Sequence, residues 1–243
     1  LMQASPELEE DFSTYASTVN MLADPRNIYT ESEDVNTAQI ALDTTKGYGT
    51  SSQSMKYTWP AHGTDYVISR RFPISPTQQE SWVEFWVQFS SNFTTDGTPS
   101  GGRDYKFVFF GIGPGDGRFQ IKNGQGGSVV WSPNHPGGNN DTYTTANTGN
   151  GGMFWDGTWR RVRWHVKCST SISSADGEFD WWLENTSISY PDGFNSTNQA
   201  GGHAAYVDRL ILGANMNWAQ TDTGMSLHWG RVRIFAADPG WVA

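Results

Sequence analysis

Trp155-Asp-Gly-Thr-Trp-Arg-Arg-Val-Arg-Trp-His-Val-Lys167, a Ser-rich connection, and then Asp176-Gly-Glu-Phe-Asp-Trp-Trp-Leu-Glu184 form the stretch whose reading decides the fold. Both halves alternate with period two, the pattern of a strand with two unlike faces. In the first half Val162, Trp164 and Val166 fall on one side, and Arg161, Arg163, His165 and Lys167 on the other. In the second, Phe179, Trp181 and Leu183 oppose Glu178, Asp180, Trp182 and Glu184. The Ser-rich link from Cys168 to Gly177 is turn chemistry. The pattern predicts a β-hairpin with one apolar and one strongly charged face.

Working outward, period-two strands recur along the chain. Ala38 to Asp43, Ser54 to Trp59 and Tyr66 to Phe72 come first, the last carrying Arg70 and Arg71. From Trp82 to Phe89, Val83, Phe85, Val87 and Phe89 alternate with Trp82, Glu84, Trp86 and Gln88. Large aromatics on both sides predict a strand covered on one face and lining a groove with the other. Tyr105 to Phe110 is nearly continuous in apolar character, as expected for a central strand. Arg118 to Lys122, Ser187 to Tyr190, Arg209 to Leu212, Ser226 to Trp229 and Val232 to Phe235 complete the series.

Gly111-Ile-Gly-Pro-Gly has the look of a phosphate loop, but a strand pattern follows where a dinucleotide fingerprint needs a helix. Ser132 to Gly152, rich in Pro, Gly, Asn and Thr, reads as a long connection of the kind that is often functional. Residues 1–35 read as an acidic N-terminal arm with a short helix within Phe12 to Leu22, and residues 36–243 as one domain. Many short strands, little helix and regular turn signals predict an all-β, antiparallel two-sheet sandwich.

Composition bounds the function. A chain of 243 residues is ample for one β domain with a sizeable core. Its net charge of −9 lacks the basic footprint of a general nucleic-acid binder. The single Cys, Cys168, permits no internal disulfide, and on a strand it reads as a small buried hydrophobe. No run approaches the roughly 18 apolar residues of a membrane span, and the first residues lack signal-peptide patterning. Asn92, Asn140, Asn185 and Asn195 stand in glycosylation sequons, relevant on a eukaryotic secretory route.

The strand Trp82 to Phe89, Phe107-Val-Phe-Phe-Gly, the strand Trp159 to Lys167, Asp176-Gly-Glu-Phe-Asp-Trp-Trp-Leu and Leu210-Ile-Leu-Gly, in this order, resemble the concanavalin A-like jelly roll. That superfamily includes legume-type lectins, laminin-G-like domains, laminarinase-type glycosidases and several polysaccharide lyases. The resemblance spans most of residues 38 to 236. It implies a bent sheet whose concave outer face is the usual place for a saccharide.

Three carbohydrate readings follow. For recognition alone, aromatic faces stack on sugar C–H surfaces while planar polar groups satisfy hydroxyls. The candidates are Trp86, Trp131, Tyr143, Trp155, Trp182 and Trp218, with Lys122 and Lys167 as polar partners. Against any one of them stands the fact that Trp and Tyr are largely buried on average.

For a polysaccharide lyase, a base abstracts the proton α to a uronate carboxylate while cations and amides stabilise the enolate. His165 or Tyr105 would be the base, and Arg161, Arg163 and Gln120 would hold the uronate. Arg118, Gln120 and Lys122 would join that set if their strand shares a sheet with the basic strand. The bland alternative is that alternating charge is a strand's solvated side. Alginate lyases of this fold carry Gln-Ile-His and Tyr-Phe-Lys-x-Gly-x-Tyr strands. The nearest strings here, Phe119-Gln120-Ile121-Lys122 and Asp104-Tyr105-Lys106-Phe107, depart from both.

For a glycoside hydrolase, Glu178 and Asp180 share a face, but Glu184 falls one place too late for the laminarinase pattern.

No metal site is expected as a catalytic centre and no cofactor is implied. Asp176, Asp180, Asp192 and Asp222 are the oxygen donors available to a structural calcium, while His62, His135, His203 and His228 lack zinc spacing. The expected partner is a polysaccharide or glycan, with neither nucleic acid nor membrane, at an extracellular or surface location. A different class, an adhesion or assembly module such as a virion decoration protein, would instead self-associate or dock through the N-terminal arm.

Overall fold

Alternation along the chain becomes thirteen strands among the described residues. The computed structural model describes residues 4–24, 37–61, 66–92, 105–112, 117–123, 129–134, 157–168, 170, 174, 176–184, 186–189, 206–216 and 224–241. In chain order the strands are β1 (Leu8–Glu10), β2 (Ile40–Asp43), β3 (Ser54–Trp59), β4 (Tyr66–Gln78), β5 (Glu80–Phe89), β6 (Tyr105–Ile112) and β7 (Gly117–Asn123). They continue as β8 (Val129–Asn134), β9 (Arg160–Lys167), β10 (Glu178–Leu183), β11 (Thr186–Ser189), β12 (Val207–Met216) and β13 (Met225–Phe235). The α-helix α1 (Thr18–Ala23) is capped by the Ser17 side chain, which accepts from the Asn20 amide.

The strands form two antiparallel sheets. The larger runs β11-β10-β9-β5-β13-β3-β2, with β1 also paired to β13, and the smaller runs β4-β12-β6-β7-β8. Between them lies one apolar core. Val83, Phe85, Val87 and Phe89 of β5, Val162, Trp164 and Val166 of β9, and Leu227, Trp229 and Val232 of β13 meet Ile68 and Phe72 of β4 and Leu210 and Leu212 of β12. Each such side chain contributes about 1.5–3 kcal/mol when fully withdrawn from water. Tyr57 ties the layers with a hydrogen bond from its hydroxyl to the Leu212 carbonyl at 2.7 Å. Trp59, Trp164 and Trp229 are core residues, as is Cys168.

Several expectations are corrected in detail. The predicted strand pair 226–229 and 232–235 is one strand, β13, with a register shift between Trp229 and Val232. The strand from Tyr66 runs on to Gln78, past Pro73 and Pro76. The helix expected within 12–22 covers only Thr18–Ala23, because Phe12 has a φ of 62° and Ser17, the N-cap, is extended at a φ of −161°. The acidic N-terminal segment is, over residues 4–24, part of the sandwich: β1 pairs with β13, and Phe12, Tyr15 and Met21 enter the core. Glu10 anchors it, accepting from the Phe12 amide at 2.6 Å and from the Tyr15 hydroxyl at 2.6 Å.

Candidate functional site

Cross-strand partners in an antiparallel sheet share a face, so register alone lays out the outer side of the larger sheet. One row is Glu178, Lys167 and Glu80; the next is Asp180, His165, Trp82 and Phe235; the third is Trp182, Arg163, Glu84, Arg233 and Glu9. Across the strands cations and carboxylates alternate, while along β9 the outward residues are all basic. Lys167 donates to Glu178, and Arg233 contacts Glu84 at 3.1 Å and Glu9 at 3.6 Å. Arg161 lies 3.9 Å from the far oxygen of Glu84. Burial raises the Glu84 pKa, and Arg233, Arg161 and Arg163 offset only part of that rise.

Aromatic rings are threaded through this lattice. The Arg163 guanidinium sits 5.6 Å from the ring centroids of both Trp182 and Trp241, a cation–π arrangement. Tyr48 stacks on Trp86 at 4.7 Å while Arg233 lies 5.8 Å from the same indole. Trp82 stacks on His165 at 4.7 Å with the rings 16° apart.

His165 is held from both sides, Nε2 at 2.9 Å from Glu80 and Nδ1 at 3.3 Å from Asp180. Burial alone would depress its pKa, but the hydrogen bonds to Asp180 and Glu80 outweigh that and raise it above the ordinary value. Only an imidazolium donates from both nitrogens, so this site is built to hold a cation. A general base needs a free lone pair facing its substrate, which a ring clamped between two carboxylates does not present.

His228, on the same sheet, is the opposite case. Burial pushes it down to about 4 against the hydrogen bond that Nε2 donates to Asp43, so the 3.1 Å contact joins a neutral imidazole to a carboxylate.

The smaller sheet has a different character. Its strands carry six basic residues, Arg70, Arg71, Lys106, Arg118, Lys122 and Arg209, against one acidic residue, Asp208. The strands of the larger sheet carry seven of each sign. Arg70 faces inward and donates to the Leu22 carbonyl at 2.9 Å at the end of α1. Arg71 is 0 % exposed and Arg209 is 5 % exposed.

A register break in β12 between Val207 and Arg209 brings the neighbouring side chains Asp208 and Arg209 together, with both carboxylate oxygens within 2.8 Å of the guanidinium. In an unbroken strand those two residues would point to opposite faces. Burial raises the Asp208 pKa, and the positive charges of Arg209 and Arg71 counter it in part.

Register carries the row onward: Arg71 stands opposite Ile211, Ile211 opposite Phe109, and Phe109 opposite Gln120. In the next row Arg209 stands opposite Gly111, and Gly111 opposite Arg118.

The residues singled out in the sequence therefore divide. His165, Arg163 and Arg161 lie on β9 of the larger sheet, while Gln120, Lys122 and Tyr105 lie on β7 and β6 of the smaller one. The condition on which the β7 residues would join the basic strand is not met, since the two strands lie in different sheets; alternation specifies a face of a strand but not the sheet it enters.

Among the aromatic candidates, Trp86 is only 7 % exposed beneath Tyr48, and Trp182 is half-buried against Trp241. Trp131 lies on β8, in register with Ile121. Tyr143, Trp155 and Trp218 lie outside the described residues. Lys167 is committed to Glu178.

Of the oxygen donors considered for calcium, Asp176 accepts from Thr170 and Asp180 from His165, while Asp192 and Asp222 lie outside the described residues. Among the described residues no three His, Cys, Asp or Glu side chains are grouped for a metal. Among the same residues no helix is long and apolar enough to cross a membrane.

Sequence reasoning passed over Asp208, Arg209, Trp82 and Glu80 as site residues. The Arg-rich strand was the available signal for the smaller sheet, since Arg70 and Arg71 sit mid-strand, where one of them must face each layer.

No family model and no curated protein matches the sequence. Solved structures do match its shape. An alginate lyase in complex with an alginate tetrasaccharide superposes with a TM-score of 0.64 at 14% identity, covering 95% of this chain and 97% of that one. An alginate lyase from Chlorella virus gives 0.61 at 12% identity, over 81% and 88% of the two chains. The catalytic domain of a GH131 β-glucanase from Podospora anserina gives 0.51 at 14% identity, over 96% of each. With two antiparallel sheets stacked on one core, the chain is a β-sandwich of the concanavalin A-like jelly-roll type, the fold it shares with these lyases and glucanases.

Proposed function

We propose that this protein recognises an acidic carbohydrate polymer on the outer face of its smaller sheet. The supporting observation is the partition of charge: besides the inward-facing Arg70, five basic residues against one acidic on those strands, in a chain whose net charge is −9. A sheet whose strands carry basic residues with almost no acidic ones, in an acidic protein, attracts a polyanion. Arg71 and Arg209, buried beneath this face with Arg209 paired to Asp208, add to its positive field rather than to its exposed donors. The shared fold with alginate-bound lyases makes a uronate polymer the first ligand to try, at a secreted or surface location where such polymers occur.

The test is affinity electrophoresis and calorimetry with alginate and with a neutral glucan at increasing salt. Alginate should bind, the glucan should not compete, and affinity should fall steeply as ionic strength screens the cations. Lys122→Ala and Gln120→Ala should each weaken binding by about 3–10-fold while leaving thermal unfolding unchanged. Salt-insensitive binding, or none, would sink the reading.

A second reading is β-elimination on the same polymer, for which Gln120 shares a face with Arg71, while Tyr105, in register with Asn123 and Met216, falls on the opposite face. Ultraviolet absorbance of unsaturated uronate distinguishes a lyase from a binding protein.

A further inference from the structure

The larger sheet also presents aromatic surface, and it differs in kind from the cationic sheet. Trp82 is half-buried, with one ring face fixed by stacking on His165. His165 is itself immobilised between Glu80 and Asp180, so the indole is held at a set angle on the sheet without needing a ligand to order it. A rigid platform of this kind binds with little loss of conformational entropy.

Around it stand half-exposed groups able to meet hydroxyls: the side chains of Glu80, Asp180, Lys167 and Glu178 are 40%, 30%, 32% and 37% exposed. With His165 and Lys167 protonated, those three carboxylates leave this corner of the sheet net negative. Four residues further along β5, which is about 13 Å of strand, Trp86 supports the half-exposed ring of Tyr48 at 4.7 Å. Two aromatic rings over one strand, separated by a span that several pyranose rings fill, are joined by the Glu84–Arg161–Arg233 cluster.

We propose that Trp82 and Tyr48 form a second carbohydrate-contact surface on the outer face of the larger sheet, taking an uncharged hexopyranose polymer. The ring faces supply stacking, and Glu80 and Asp180 accept from sugar hydroxyls with the oxygens that His165 leaves free. The carboxylates at the Trp82 end disfavour a polyuronate there, and the surface as a whole carries no excess of cations to attract one, so the two sheets divide charged from neutral carbohydrate. This surface does not depend on the smaller sheet being a binding site.

The test is retardation of the full chain in native gels cast with neutral glucan or mannan, alongside gels without polymer. Wild type should be retarded by at least one of them. Trp82→Ala should weaken that retention about tenfold, as loss of one stacking platform would. Trp82→Phe, which keeps a smaller ring on His165, should retain part of it and guards against simple misfolding. Excess alginate should not restore free mobility.

Three results would overturn the proposal: no retardation by any neutral polymer, equal retention of wild type and folded Trp82→Ala, or displacement by alginate. A change in sedimentation on Trp82→Ala, without change in retention, would also overturn it by assigning the surface to contacts between copies of the chain.

Discussion

His165 and His228 lie on one sheet yet are tuned in opposite directions, and the difference is set by what each nitrogen faces. His165 has carboxylates on both sides, so its folded-state pKa lies above the unfolded value near 6.5. Its contribution to stability is complete below about pH 6.5 and is lost as pH rises through the folded pKa. His228 is buried at 2 % exposure with one carboxylate partner, and its folded value is about 4. Between about pH 6.5 and 4 the unfolded chain takes up a proton that the folded protein refuses, a loss of about 3 kcal/mol across that window.

Thermal unfolding followed from pH 4 to 9 should therefore fall away on both sides of neutrality. His165→Gln should flatten the alkaline limb and His228→Asn the acid limb. If His165→Gln leaves the alkaline limb unchanged, the Glu80–Asp180 clamp is not ionic.

At the scale of elements, β12 carries the most consequence for its length. Its register break at Asp208 turns a residue out of alternation and gives Arg209 its carboxylate partner. Five residues on, Gly213 faces Ser69 of β4, and a Cβ there would lie 2.5 Å from the Ser69 Cβ and 2.8 Å from the Ile68 carbonyl. The obstacles include backbone, which cannot swing aside. Gly213→Val should lower stability by about 1–3 kcal/mol or more through that overlap, read as a drop in denaturant midpoint at unchanged slope. An unchanged midpoint would mean that β4 and β12 part at little cost. The turn between β10 and β11 shows another local constraint: Glu184 has a φ of 56° and is kept there by the Arg161 and Arg163 side chains, both donating to its carbonyl.

For the molecule as a whole, faces were legible in the sequence and neighbours were not. Val83 to Phe89 could be assigned to the core from alternation alone, because burial selects every second residue of a strand whatever lies beside it. Sheet membership has no such local record. Gln120 and His165 looked like parts of one cationic set until pairing placed them on different sheets, for strand partners are chosen by contacts distant in sequence. Trp86 looked like a platform and is instead a base for Tyr48, a loop residue whose position no periodicity reveals. Phe12 was hidden for a related reason, since its φ breaks the helix pattern while its side chain is fully buried. The charge partition between the sheets became visible only once both pieces of information were combined.

The position of β13 has a consequence for how the chain is made. It pairs with β5 on one side and with β3 and β1 on the other, so it sits inside the larger sheet although it is the last described strand. The Ser226 amide meets the Ser90 hydroxyl across 136 residues of sequence, and Arg231 reaches Glu9 across 222. During synthesis β1, β3 and β5 must therefore leave the ribosome with exposed pairing edges and wait for Met225–Phe235 to fill the gap between them. Such late, long-range closure is slow, on the order of milliseconds to seconds, and exposes the waiting edges to aggregation. A chain released before Met225 should be insoluble or protease-sensitive, and adding a Met225–Phe235 peptide should protect it. Cooperative unfolding of the shortened chain by itself would show that the sandwich closes without its last strand.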